Sequence, residues 1–133
     1  MRLLDFTPGH ETPITVYDSA RAYALPLGEG RGEAHVYCIR IEPGGVIGSH
    51  EAGFGQFFLV VAGSGWVSGS DGVQRPLGVG RGAYIERGEV HAKGSDTGLT
   101  AIMVQVTDLA AAPVARVGQL HGQDAGDETS PAG

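Results

Sequence analysis

The sequence predicts an all-β chain of antiparallel strands, closed into a barrel or a two-sheet jelly roll. Three observations predict it. Short runs rich in β-branched and aromatic residues recur along the chain, each bounded by Gly, Pro, Ser or Asp. The intervening turn signals, EPGG, AGSG, GSDG, GVGRG, ERGE and GSDTG, come at short intervals. Helical periodicity is almost absent, and the 23 glycines show no collagen repeat, so they mark tight turns.

Taken in order, strands are expected near Ile14 to Tyr17, Ala22 to Leu25, Ala34 to Glu42 and Gln56 to Val61. Others follow near Gly65 to Gly69, Val73 to Leu77, Ala83 to Glu86 and Leu99 to Val106. In QFFLVV, Gln56 to Val61, both strand faces are apolar beyond the first residue. Such a strand needs cover on both sides, from the barrel interior and from a second layer, either a neighbouring sheet or a second subunit. From Thr107 the pattern changes: TDLAAAPVARVGQL is expected to form a short helical turn or to drape over the barrel. One domain is expected over residues 1–112, with its motif-bearing core at 34–106 and a polar, mobile tail at 113–133.

Composition narrows the function class. With 41% hydrophobic and 18% charged residues, the 133-residue chain reads as globular and large enough for its own core. Its net charge of −6 and lack of a basic cluster argue against a nucleic-acid partner. No apolar run reaches the roughly 18 residues of a membrane span, and Asp5 and Pro8 interrupt any signal-peptide pattern. The single cysteine, Cys38, is expected as a small buried hydrophobe in a reducing, cytoplasmic setting.

One stretch carries chemistry. Gly44, five residues, His50, one residue, Ala52, three residues, Gln56, six residues and Gly63 follow one spacing. Gly80, five residues, Glu86, one residue, Gly88, two residues and His91 follow a second, with Ser95 closing it. These spacings resemble the two motifs of the cupins, G(X)5HXH(X)3-4E(X)6G and G(X)5PXG(X)2H(X)3N. The resemblance covers Gly44 to Ser95 and implies a double-stranded β-helix, the jelly-roll barrel of that family. The family's metal site of three histidines and one glutamate is matched as histidine only at His50 and His91. Ala52 stands where the second histidine belongs, and Gln56 replaces the glutamate.

The spacing also has its own physics. His50 and Ala52, two apart, share one strand face; a turn through Gly53 to Gly55 leads into Gln56, and His91 arrives from a distant strand. His50, Gln56 and His91 are therefore the candidate ligands of a divalent metal: iron, nickel, zinc, manganese or copper. His35 is a candidate extra ligand if the odd positions of Ala34 to Glu42 face inward. Tyr37, Ala52, Phe58, Val60, Trp66, Tyr84 and Met103 are candidate pocket walls, while His10 and His121 lie in polar stretches and are expected at the surface. The glycines Gly44, Gly63, Gly80 and Gly88 are expected at turns with unusual backbone angles.

The first functional reading is a metal-dependent enzyme of oxygenase, isomerase or lyase type acting on a small organic molecule inside the barrel. A second keeps the fold without metal, with His50 and His91 as acid–base groups of an isomerase or cyclase and Tyr84 or Tyr37 as partner. A third is a non-catalytic small-molecule-binding module. A homodimer is expected, because the doubly apolar strand needs cover and the family that the chain resembles commonly pairs its barrels.

Overall fold

A computed structural model describes residues 1–113 and the backbone of 116–118. The strands are β1 (Arg2–Asp5), β2 (Thr12–Pro13), β3 (Tyr23–Ala24), β4 (Gly28–Ile41), β5 (Val46–Glu51) and β6 (Gly55–Gly63). Then come β7 (Gly65–Ser68), β8 (Gln74–Leu77), β9 (Arg81–Ile85), β10 (Val90–Gly94), β11 (Leu99–Ala111) and β12 (Arg116–Gly118). They form a six-stranded sheet in the order β12-β1-β9-β6-β11-β4, a four-stranded sheet β5-β10-β7-β8, and a small β2-β3 ladder. Every pairing is antiparallel.

The core lies between the two larger sheets. Phe58, Val60, Ala83, Ile85, Ala101 and Met103 from the large sheet meet Val67 and Leu77 from the small one. Strand alternation puts Phe58 and Val60 inside and Phe57 and Leu59 outside. Across the inner face Tyr37, Met103, Phe58 and Ala83 stand in one register row, and His35, Gln105, Gln56 and Ile85 in the next.

The cover expected over QFFLVV comes in part from the chain itself. On the outer face Phe57 packs with Leu4 and Tyr84, and with the partly buried Leu27, Leu59, Val104 and Leu109. Val61, further along, is 46% exposed.

The four motif glycines have positive φ: Gly44 at 82°, Gly63 at 75°, Gly80 at 85° and Gly88 at 90°. At Gly63 the need is double, because a Cβ would also strike the backbone of Gly98 and Leu99.

Four expectations are corrected. The segment after Thr107 does not begin as a helical turn: β11 runs on to Ala111, pairing Asp108 with Arg31, Leu109 with Gly30 and Ala111 with Gly28. Backbone partners offered by the start of β4 override the helix propensity of the alanines. Arg116–Gly118, assigned to the tail, pairs with β1; residues 119–133 and His121 lie outside the described residues. Ile14 to Tyr17 is no strand, because Tyr17, Asp18 and Arg21 turn to positive φ of 60°, 54° and 55°. Cys38 is exposed, since it lies on β4, the edge strand of the large sheet.

Candidate functional site

The site forms where β5 and β10 of the small sheet face β6 of the large one. His50 pairs directly with His91 across β5 and β10, and their ring centroids are 4.5 Å apart. Each Nδ1 faces a carbonyl: His50 Nδ1 lies 2.7 Å from Gly48 O, and His91 Nδ1 lies 3.3 Å from Glu89 O. A carbonyl oxygen only accepts, so in each neutral ring Nδ1 donates and Nε2 is left as the acceptor. His50 is exposed. His91 is fully buried, and its Nε2 has no hydrogen-bond partner among the described residues.

Gln56 is buried, as its place at the head of an inward-facing strand predicts. Its Oε1 is occupied: Lys93 Nζ donates to it at 2.7 Å. Sequence reasoning missed Lys93. The available signal was spacing, since a residue two beyond His91 on one strand shares its face. Lys93 is 2% exposed, lies 3.9 Å from Met103 Sδ, and holds its ammonium 5.0 Å from the Phe58 ring centroid. Among the described residues no carboxylate lies within ion-pair distance of it. Burial pulls its pKa down to about 8. Burial first, and then the Lys93 charge, holds His91 down to about 4, so that its ring is neutral at physiological pH.

The remaining candidates divide. Ala52, Phe58, Val60 and Met103 lie in the core around the cluster, and Tyr37 stands in the Met103–Phe58 row at the open β4 edge, 45% exposed. Two expected walls point elsewhere. Tyr84 alternates with the core residues Ala83 and Ile85, packs on Phe57 on the outer face, and donates its hydroxyl to Leu109 O at 2.8 Å. Trp66 alternates with the core residue Val67 and lies over Gly94, where a Cβ would strike its indole. His35 is not drawn into the cluster: Glu33 Oε2 takes its Nε2 at 2.6 Å and its side chain is 39% exposed. Ser95, at the family's asparagine position, bonds Ser64 O and receives Gly98 N–H, a turn-fixing role.

This donor set does not suit a resident divalent cation. It offers two imidazoles and an amide oxygen already bonded to an ammonium, with no carboxylate. Among the described residues no three His, Cys, Asp or Glu side chains are grouped to hold a metal ion. A dication here would face the Lys93 charge in a low-dielectric interior.

No protein-family model matches the sequence, and no curated protein does. Solved structures match by fold. A cupin-like protein from Thermotoga maritima aligns with a TM-score of 0.53 at 26% identity, over 56% of this chain and 57% of that one. An RmlC-like cupin from Shewanella frigidimarina aligns with a TM-score of 0.53 at 24% identity, over 56% and 67%. A conserved protein with a double-stranded β-helix domain from Klebsiella pneumoniae aligns with a TM-score of 0.52 at 21% identity, over 62% and 77%. The match thus spans less than two thirds of the Thermotoga protein's length. Two facing antiparallel sheets, the positive-φ glycines at both motif spacings and these neighbours agree on the fold: the chain is a double-stranded β-helix of the cupin type.

Proposed function

We propose that this barrel binds a small organic acid in its interior without a resident metal, using Lys93 as the cation of the site and the His91–His50 pair as its acceptor and proton-carrying element. The observation that carries the reading is the buried ammonium of Lys93, which has a single amide oxygen for a strong partner and no carboxylate among the described residues. Burying an ammonium costs several kcal/mol unless it is paired. A bound carboxylate offsets that cost.

Each residue has a part. Gln56 Oε1 aims Lys93 Nζ, while Phe58 and Met103 beside it keep water away and strengthen its field. His91, neutral with its proton held on Nδ1, presents a lone pair on Nε2. His50, exposed, sets its ring 4.5 Å from the buried His91 ring. An ammonium beside a developing oxyanion and a neutral imidazole beside a transferable proton suit proton transfer on a bound carbonyl or carboxylate compound. The test is thermal stability in the presence of chelator, with acetate and propionate set against acetamide and propanol. The acids are expected to raise the melting temperature of the wild type but not of Lys93→Met. A wild type indifferent to every acid overturns the reading.

A further inference from the structure

This inference rests on the reading above and narrows the ligand's chemistry. A neutral imidazole has one donor and one acceptor nitrogen. The Glu89 carbonyl fixes the His91 proton on Nδ1, which leaves Nε2 able only to accept. That atom is buried and unpartnered among the described residues, on a side chain with 0% exposure. An unpaired buried acceptor is destabilising, and folded interiors rarely leave one. Lys93 makes the opposite demand. Its three N–H donors meet one amide oxygen and one weakly accepting sulfur, so it has capacity for an anionic oxygen.

Both groups are buried on β10, two residues apart, with Ala92 between them paired to Ser68 of β7; toward β5 the register shifts between His91 and Lys93, the extra residue lying on β5. Side chains two apart on a strand are separated by roughly 6–7 Å. One small ligand carrying two polar groups can therefore present one of them to each side chain. We infer that the ligand is a small hydroxy acid whose hydroxyl donates to His91 Nε2 and whose carboxylate accepts from Lys93 Nζ. A simple carboxylic acid satisfies Lys93 and leaves His91 unpaired. A neutral diol satisfies His91 and leaves the ammonium uncompensated. A dicarboxylate sets a second anion against the Nε2 lone pair, and an α-amino acid brings a second cation beside Lys93.

Calorimetric titration of the full chain in chelator tests this, with glycolate and lactate compared with acetate and propionate, which differ from them by one hydroxyl. Each hydroxy acid is expected to bind at least about ten-fold tighter than its deoxy counterpart, the worth of one well-placed hydrogen bond. His91→Phe is expected to bring lactate down to the level of propionate without weakening propionate, and His91→Gln, which keeps an acceptor, to retain part of the preference. Equal affinity for lactate and propionate in the wild type overturns the inference, with water as the partner of Nε2, and leaves the proposed function standing. Binding of neither overturns both. Because the wild-type comparison alone decides, a variant that fails to fold does not blunt the test.

Discussion

Replacing Lys93 with methionine removes the charge while keeping most of the side-chain volume, and its effect on stability has a defined sign at each pH. The folded-state pKa is about 8 against an ordinary value of 10.5. At 1.36 kcal/mol per unit, burial of the charged form burdens the fold by about 3 kcal/mol. Between pH 8 and pH 10.5 the unfolded chain binds more protons than the folded one, so wild-type stability rises with pH across that window. Below pH 8 the burden is fully present. Lys93→Met lifts it but leaves Gln56 Oε1 without its donor, at a cost of about 1–3 kcal/mol. At pH 7 the variant is therefore expected to be as stable as the wild type, or more stable by up to about 2 kcal/mol. By pH 10 the wild type has shed most of its burden, and the difference is expected to have moved against the variant by about 2–3 kcal/mol. Urea unfolding of both proteins at pH steps from 7 to 10 reads this directly, and other titrating groups cancel in the difference. A difference that stays flat with pH refutes the buried ammonium.

Phe58→Ala, at a position with 0% exposure against Lys93 and Val60, is expected to cost about 3–5 kcal/mol and is read as a fall in melting temperature. Tyr84→Phe loses only the bond to Leu109 O and is expected to cost about 1 kcal/mol with ligand binding unchanged, which a titration checks. His50→Ala uncovers the His91 ring, so the His91 pKa is expected to climb from about 4 toward its ordinary value, followed by NMR titration. The homodimer expected from sequence is tested by sedimentation: wild type at twice 13.7 kDa and Leu59→Asp as a monomer support pairing over the outer face, and a monomeric wild type rejects it.

The architecture was largely legible because its signals are local. Gly44, Gly63, Gly80 and Gly88 announce turns by their spacing, and the inward places of Gln56, Phe58 and Val60 follow from alternation alone. His50 and His91 were paired by motif spacing and do meet. Non-local partners were not legible. The oxygen of Gln56 belongs to Lys93, 37 residues away, and no local pattern reports that hydrogen bond. Tyr84 and Trp66 were placed inside because aromatic residues suit a pocket wall, although their neighbours Ala83 and Val67 fix the opposite parity. The strand at Arg116–Gly118 depends on β1, more than a hundred positions earlier, and its polar surroundings hide it.

Metal analysis of the protein purified without chelator, from medium supplemented with iron, nickel, zinc, manganese and copper, bears most directly on a barrel whose interior cation is a lysine. The account predicts far less than one metal ion per chain and a melting temperature that chelator does not change. One tightly held ion per chain, lost together with stability when His91 is replaced, would contradict it.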